Sequence, residues 1–410
     1  MQGITPNKIA KYLIYVFLAY ILWFKYIFGE KAIILYGSTI LAAACMFYDL
    51  LVSHQNQLEV FPTGVLVNVF MCVYSIVVGV FAAKNMSLLM STVKTYSAFS
   101  IVCLVVCYVS NKEDGFDWLL KAFIVIDILC AITVLTRGYY WPNYGYVLSP
   151  RNNPNSFGRT MALGLFCLMY RTQKNRKRLV LSVGVAILFI YAIVGCGSRK
   201  SLFAAIIVCS LWLFHQSRII WRNGSGLTRI ALLFFIAVLV VSVTYYYNNV
   251  YLQSDISTRM ESLGDQAEGS SRNRMLYYTF AIDYFLEKPL FGIGLQQFVV
   301  WNPLRQFSHS TYAEAIADWG LVGCLIYFIP AILAAINLIK ALFLKVNSET
   351  TRSIIALWII EVFLGLGQIW FYEVEHMIAW TIIYIYAFNL EKTRAEKEIN
   401  IERKCKYVKA

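Results

Sequence analysis

Apolar positions fill most of this chain in runs long enough to cross a lipid bilayer. About 20 consecutive apolar residues cover roughly 30 Å of hydrocarbon, and such runs can be marked along nearly the whole sequence. The pattern predicts an all-α, polytopic membrane protein with about twelve spans. The predicted spans are Ile9–Phe28, Ala32–Val52, Val60–Ala83, Leu88–Ser110, Trp118–Thr136, Ser156–Tyr170, Leu179–Val194, Leu202–Phe214, Ile230–Tyr247, Gly320–Leu344, Ile354–Tyr372 and Met377–Phe388.

The composition indicates the same class of protein. Of the 410 residues, 59% are hydrophobic and only 14% are charged, which is more apolar surface than a soluble chain of this length could bury. We expect one transmembrane domain over residues 1–410, with no separate soluble domain and no internal repeat. Most cysteines lie in apolar runs without a CxxC pair or a neighbouring histidine, so neither a disulfide framework nor a metal site is predicted.

Clusters of lysine and arginine give the expected orientation of the spans. With the N-terminus inside, the basic clusters at 171–178, 218–229 and 392–409 all fall on the cytoplasmic side. Most of the net charge of +13 therefore reflects the orientation of the spans in the membrane. The basic tail indicates contact with anionic lipid rather than with nucleic acid. This orientation leaves two sizeable external segments, 137–155 and 248–319, and the second is the expected catalytic loop.

Several cations fall on the external side, where membrane proteins usually carry few. Their number and position suggest that an anionic ligand binds outside the membrane. These residues are Arg151, Arg199, Arg272, Arg274 and His309.

The longer external segment contains a helical pattern. Apolar positions recur at helical spacing over residues 275–286 and stop before Pro289, which predicts an amphipathic helix at the membrane surface. Arg272 and Arg274 fall in its first turn, where they oppose the positive end of the helix dipole and suggest a bound phosphate. The alternative is that both are solvated or pair with nearby acidic residues. Because residues two apart point in different directions, we expect one of the two to reach the site.

His309 lies at the start of the helix that leads into the tenth predicted span. An imidazole in this position is either a general base or a structural residue. The residue one turn later is Ala313, so the helix offers no carboxylate there to orient the ring. We expect an orienting partner to come from the last external turn, which carries Glu373 and Glu375.

The turn between the seventh and eighth predicted spans combines glycines with Ser198 and Arg199. Gly195 and Gly197 allow a sharp reversal, and Ser198 can cap the eighth helix. Arg199 then stands at an external helix N-terminus, where it either binds an anion or extends to the lipid interface. The glycine spacing does not match a Walker loop or a dinucleotide-binding motif.

Amides and aromatic residues gather before the sixth predicted span. Arg151, Asn153 and Asn155 follow a run of tyrosines and tryptophan over residues 139–146. Such side chains suit sugar hydroxyls and sugar ring faces at a membrane rim. The alternative is an interfacial aromatic belt around a helix cap.

Three sequence blocks resemble the bacterial O-antigen polymerase and ligase family of Wzy-like and WaaL-like integral membrane glycosyltransferases. Two are short, namely Asn-Pro-Asn at 153–155 and Ser-Arg at 198–199. The third runs from 273 to 323 and contains Arg274 with an aromatic residue four positions on, then Pro-Leu-Phe-Gly-Ile-Gly, then His309 followed by Gly-Leu-Val-Gly. The long block is the specific one.

The chain departs from the family pattern at three positions. Ser310 follows the histidine where the family usually has Asn, and Lys200 stands where a small residue usually follows Ser-Arg. Asp318 stands where Glu is common. None of these changes removes an expected catalytic group.

The resemblance implies a GT-C-like fold with an external cavity. There, a glycan carried on polyprenyl (undecaprenyl) diphosphate would be joined to an acceptor hydroxyl without a metal or other cofactor. Arg199 and Arg274 would hold the diphosphate, His309 would act as general base, and the three side chains would share one water-filled hollow. Further substrate contacts are expected from Arg272, Arg151, Asn153, Asn155, Tyr312, Glu373 and Glu375.

The resemblance also implies a location and partners. We expect a multi-pass protein of the bacterial cytoplasmic membrane with its active site on the external, periplasmic face. Its partners would be the lipid-linked oligosaccharide, membrane lipid, a flippase and a chain-length regulator.

Three functions stay open at the level of sequence. The leading interpretation is a polysaccharide polymerase that extends a lipid-linked glycan, and the second is a ligase that delivers the glycan to a different acceptor. A transporter of the same lipid-linked sugar would need charged residues along a path through the spans. Lys94, Asp127 and Glu361 are the intramembrane candidates, and they are too scattered to suggest such a path.

Overall fold

The computed structural model describes residues 5–52, 61–113, 115–141, 145–174, 179–223, 225–226, 229–230, 233, 269–344, 346 and 348–409. Helices account for almost all of this part of the chain. They are α1 Pro6–Phe28, α2 Ala32–Val52, α3 Thr63–Ala82, α4 Met86–Lys112, α5 Asp117–Arg137, α6 Pro154–Lys174, α7 Leu179–Gly195, α8 Arg199–Asn223, α9 Gly269–Glu287, α10 Phe298–Trp301, α11 Thr311–Phe343, α12 Ser348–Gly365 and α13 Val374–Lys409. A π-helical turn at Tyr20–Phe24 lies within α1, and a 3-10 turn at Trp370–Tyr372 precedes α13.

Seven helices in the described ranges are long and apolar enough to cross a membrane, namely α1, α2, α3, α4, α5, α8 and α11. The prediction of an all-α, polytopic membrane protein is confirmed. The helices α6, α7, α12 and α13 overlap the sixth, seventh, eleventh and twelfth predicted spans. The ninth predicted span, Ile230–Tyr247, lies outside the described residues except for 230 and 233, and so does the stretch 248–268, which is predicted to be external.

Several helix boundaries differ from the predicted ones, and two of the differences have a structural cause. The helix α12 ends at Gly365, whereas the apolar pattern predicts a span that reaches Tyr372. Gly365 lies under the Trp370 ring, where a Cβ atom would stand 2.6 Å from a ring carbon, and the chain turns there. The helix α11 begins at Thr311 rather than Gly320, because the acidic side chains that interrupt its apolar run are buried in the protein.

The aromatic run before α6 forms a small β-hairpin that the sequence pattern did not predict. Strand β1 (Tyr139–Trp141) pairs antiparallel with β2 (Gly145–Val147), with Tyr140 opposite Tyr146. The rings of these two tyrosines lie 5.3 Å apart, which is a normal cross-strand aromatic contact.

The chain divides into two compact units. Unit 1 comprises Met1–Phe17, Ala32–Trp118 and Asn273–Ala410, and within it α11 packs against α3, α12 and α13. Unit 2 comprises Leu18–Lys31 and Leu119–Arg272, and within it α6 packs against α7 and α8. Because the predicted site residues are divided between the units, the shared external hollow stays a prediction, as does the single domain over residues 1–410.

Candidate functional site

The site in unit 1 is built on a break in the helix α11. Gly320 has φ 63° and ψ −167°, which interrupts the helix between two regular halves. The loop that follows α9 lies beside the break and replaces the missing helical hydrogen bonds with backbone bonds of 2.9–3.0 Å. These bonds run from Ile293 N to Ala317 O, from Gly294 N to Asp318 O, from Leu321 N to Pro289 O and from Val322 N to Leu290 O.

Glycine is required on both sides of this contact. A Cβ atom at Gly320 would stand 2.6 Å from the Gly292 nitrogen, and one at Gly292 would stand 2.5 Å from the Asp318 carbonyl carbon. Both residues also have positive φ, which L side chains rarely adopt. The packing therefore explains why Pro-Leu-Phe-Gly-Ile-Gly and the later Gly-Leu-Val-Gly occur in one sequence block.

Asp318 ties three segments together through one buried carboxylate. Its two oxygens accept hydrogen bonds from Gln296 N at 2.5 Å, Phe298 N at 3.0 Å and the Tyr372 hydroxyl at 3.1 Å. Burial, followed by the charges of Asp318 and Glu314, raises the pKa of Tyr372 well above its ordinary value, so Tyr372 is a neutral donor. Asp318 thus joins α11 to the start of α10 and to the turn before α13.

Glu314 holds the backbone on the N-terminal side of His309. It is fully buried in the first turn of α11, and its Oε2 accepts a hydrogen bond from Ser308 N at 2.8 Å. The Ser308 hydroxyl in turn donates to Ser310 O at 2.9 Å. Sequence reasoning missed this role because it searched for a carboxylate that orients the imidazole, whereas Glu314 orients the backbone.

His309 is exposed and lies in the left-handed region at φ 56°. This conformation is costly for a residue with a side chain and persists only where neighbouring bonds enforce it. Ser310 caps α11 by accepting from Ala313 N at 3.4 Å, a role that asparagine also fills. The imidazole ring faces the ring of Tyr277 in α9, with their centroids 6.0 Å apart.

The helix α9 brings Arg274 towards this loop. Arg274 is half-buried and lies one turn before Tyr277, so the two share a helix face. The Tyr277 hydroxyl donates to Gln306 Oε1 at 3.1 Å, and Tyr278 donates to Leu366 O at 3.2 Å. These bonds fasten α9 both to the His309 loop and to the turn after α12.

The predicted helix in this segment is confirmed, but its start and its buried face differ from expectation. It begins at Gly269, so Arg274 lies beyond the first turn and the helix-dipole argument no longer applies to it. Arg272 stays in the first turn, and its side chain is outside the described part. The buried face carries Tyr277 and Ala281, whereas the predicted apolar residues Met275, Ile282 and Leu286 are exposed. The packing of Tyr277 against the His309 loop therefore determines which face of α9 is buried.

In unit 2, the two short sequence blocks meet. Ser198 is buried between α7 and α8, and its hydroxyl donates to Asn155 Oδ1 at 3.1 Å and lies 2.8 Å from the Ser201 hydroxyl. Gly197 has φ 66°, and α8 begins at Arg199, so the predicted reversal and helix start are confirmed. Arg199 therefore stands at a helix N-terminus whose preceding residue is bound to the start of α6.

The remaining predicted residues of unit 2 surround the start of α6. Asn153 caps this helix, since its Oδ1 accepts from Asn155 N at 2.8 Å. Arg151 is exposed, and its guanidinium packs over Gly29. Arg159, one turn after Asn155 on α6, is a buried cation that the sequence analysis did not single out. The sequence feature that could have indicated Arg159 is its position as a charged residue just inside a predicted span.

Residues 184–328 match a family described as O-antigen ligase, Wzy_C. This match supports assignment of the chain to the O-antigen polymerase and ligase family. The matched segment covers about a third of the sequence and contains Arg199, Arg272, Arg274, His309 and Tyr312. No curated protein matches the chain.

Within the O-antigen ligase segment, Tyr312 has a structural contact. Its hydroxyl donates to Val362 O at 2.9 Å, and its ring packs edge-on against Trp370. The hydroxyl is thus engaged by the protein backbone. A role for Tyr312 in substrate binding stays a prediction.

Glu373 and Glu375 lie beyond the O-antigen ligase segment. Glu373 Oε2 is 3.8 Å from Nε2 of His376, whose Nδ1 is 2.6 Å from Oε2 of the buried Glu361. Glu375 is buried. Orientation of His309 by Glu373 or Glu375 stays a prediction. In the described ranges, no group of three or more His, Cys, Asp or Glu side chains is placed to hold a metal ion.

Proposed function

We propose that this protein is a bacterial surface-polysaccharide polymerase of the cytoplasmic membrane. It transfers a glycan from polyprenyl (undecaprenyl) diphosphate to a sugar hydroxyl of another lipid-linked repeat unit on the external face. The match to the O-antigen ligase family supports the reaction class. The expected partners are a flippase that supplies the donor and a chain-length regulator.

The observation that carries the proposal is the construction of the His309 loop. An exposed imidazole with positive φ is held by a buried frame of Glu314, Ser308 and Ser310, next to the helix that bears Arg274. Residues held in such costly conformations cluster at functional sites. A general base needs both exposure and fixed geometry.

The proposed reaction is a single displacement. The acceptor oxygen attacks the anomeric carbon as the bond from that carbon to the diphosphate oxygen breaks, which inverts the configuration. The acceptor proton passes to His309, a general-base contribution typically of about 10² to 10⁴ in rate. The electron pair of the broken bond leaves with the lipid diphosphate.

The arginines hold the anionic part of the donor in this proposal. Arg199 and Arg274 offer planar, permanently charged forks that suit diphosphate oxygens and stabilise the charge that grows on the leaving group. Arg272 supports the same anion. Substrate contacts from Arg151, Asn153, Asn155, Tyr312, Glu373 and Glu375 complete the hypothesis.

A ligase is the second candidate, because the matched family is described as O-antigen ligase. Polymerase and ligase share the donor and differ in the acceptor. A lipid-linked sugar transporter has less support, because the three intramembrane candidates that the sequence offered are used in packing. Glu361 pairs with His376, Lys94 Nζ lies 4.6 Å from the centroid of the Tyr36 ring, and Asp127 is buried against α6 at Gly164.

The deciding experiment supplies purified protein with a synthetic polyprenyl-diphosphate repeat unit alone. We expect laddered products, which identify a polymerase. Product only after a foreign acceptor is added would identify a ligase. No glycosyl transfer to any acceptor would contradict both and favour transport.

Two variants test the assigned roles in the same assay. We expect Arg274→Ala and His309→Ala to abolish transfer while folded yield is unchanged. The matched controls are Arg218→Ala and His215→Ala in α8, which are expected on the cytoplasmic side and should transfer normally. Normal transfer by Arg274→Ala or His309→Ala would remove that residue from the mechanism. For Arg199→Lys, normal transfer would show that a point charge suffices there.

A further inference from the structure

Unit 2 contains a cleft of about 540 Å³ between α5, α6 and α7 that the proposed reaction does not use. Its walls are mainly apolar and include Ile124, Val125 and Ile128 of α5 and Val185 of α7. Two cations, Lys121 and Arg171, also line it. Such a combination suits an amphiphile with a negatively charged head.

The polar and apolar groups of the cleft are separated along the helix axes. On α5, Lys121 lies nearest the helix start, and Ile124 and Ile128 follow on the next turns of the same face. On α6, Arg171 and Thr172 lie nearest the helix end, with Leu168 one turn deeper. All cations are therefore at one end of the cleft, and the apolar walls extend from that end into the span.

Two hydroxyl groups reinforce the polar end. Thr172 of α6 donates to Ser182 of α7 at 2.9 Å, and both residues line the cleft. This bond joins the two helices beside Arg171. The head-group end thus offers two cations on separate helices and a pair of hydroxyls.

We propose that this cleft binds an anionic glycerophospholipid, with its phosphate between Lys121 and Arg171 and an acyl chain along the apolar walls. The positive-inside pattern of the chain puts this end at the cytoplasmic leaflet. Basic pockets between transmembrane helices on that side suit anionic lipid head groups. The site is thus expected on the opposite face from the glycosyl-transfer site, and neither proposal depends on the other.

The test is native mass spectrometry of the purified full chain in neutral detergent, titrated with phosphatidylglycerol or with phosphatidylcholine of the same acyl chains. We expect phosphatidylglycerol to remain bound and phosphatidylcholine to be lost. The double variant Lys121→Ala with Arg171→Ala should bind phosphatidylglycerol about 25-fold more weakly, since each cation near a lipid surface contributes roughly fivefold. Thermal unfolding of lipid-free protein checks that the variant is folded.

Two further variants separate a site from general surface charge. Arg218→Ala with Arg222→Ala removes two cations of α8 that lie outside the cleft and should leave binding unchanged. Val185→Trp fills the cleft without changing charge and should weaken binding. Equal binding of both lipids by wild type, or equal loss in the α8 control, would overturn the proposal. Displacement of phosphatidylglycerol by tighter-binding polyprenyl phosphate would also overturn it and assign the cleft to the donor lipid.

Discussion

The Ser198 turn in unit 2 and the His309 loop in unit 1 both place a predicted site residue at or just before the start of a helix, yet they are built differently. The Ser198 turn uses neutral side chains, with a serine cap bonded to one asparagine. The His309 loop uses two buried carboxylates that together accept hydrogen bonds from three backbone N–H groups and from the Tyr372 hydroxyl. A single neutral bond contributes about 1 kcal/mol, whereas a buried carboxylate that loses its donors leaves several groups unsatisfied. We therefore expect one substitution in the His309 loop to destabilise the whole loop, whereas one substitution in the Ser198 turn should cost only the bond that it removes.

The strongest test of this comparison is Gly320→Ala. The added Cβ would meet backbone atoms at 2.6 to 2.7 Å and would require positive φ, so the loop could not dock beside the broken helix. We expect a loss of about 3–5 kcal/mol in the free energy of unfolding, measured by thermal or SDS denaturation. The matched control is Gly184→Ala in α7, where the new methyl group would meet no other segment within 4 Å. It should change stability by about 1 kcal/mol or less. Equal losses of stability in Gly320→Ala and Gly184→Ala would show that the close backbone contact at Gly320 does not hold the loop in place.

The next largest effect is expected from Asp318→Asn. The amide keeps the shape of the carboxylate but turns one acceptor into a donor, so at least one of the three bonds is lost and a buried N–H or O–H group loses its partner. We expect a loss of about 1–3 kcal/mol in unfolding free energy. Glu314→Gln is the control, because Gln can still accept from Ser308 N. Equal losses of stability in Asp318→Asn and Glu314→Gln would show that the number of hydrogen-bond donors around each carboxylate does not determine its contribution.

A double-mutant cycle measures the Ser198 turn. Ser198→Ala removes a helix cap and the bond to Asn155, which should cost about 1 kcal/mol. Asn155→Ala should cost less, and the double variant should cost less than the sum, with a coupling of about 0.5–1 kcal/mol. Strict additivity in denaturation experiments would show that the two side chains do not stabilise one another.

The smallest effect is expected from Tyr277→Phe. The substitution removes the 3.1 Å bond to Gln306 but keeps the ring against His309. We expect a loss of about 0.5–1.5 kcal/mol in stability and little change in transfer rate. Tyr277→Ala removes the ring as well, and transfer should then fall clearly more than stability. Unchanged transfer in Tyr277→Ala would show that the ring does not position the imidazole.

The sequence predicted features that depend on local chemistry. The helical class, the cap at Ser198, the reversal at Gly197 and the helix that carries Arg274 all follow from neighbouring residues. The family resemblance also came from these motifs, and residues 184–328 match it.

Other features depend on contacts between distant segments, which one sequence does not display. Asp318 and Glu314 lie in an apolar run, and only the loop packed against α11 explains their burial. The early start of α9 and its buried tyrosine face depend likewise on the segment it meets. The β-hairpin was missed because its aromatic residues also suit a membrane interface.

The two halves of α11, before and after Gly320, have different surroundings. The half after Gly320 is long and apolar, and its tilt can change with bilayer thickness. The half before Gly320 is hydrogen-bonded to the His309 loop through Glu314. The loop that follows α9 bonds to Ala317 and Asp318 before the break and to Leu321 and Val322 after it, so it holds both halves in place there. We therefore expect tilt of the lipid-facing length to leave the geometry around His309 unchanged in bilayers of different thickness.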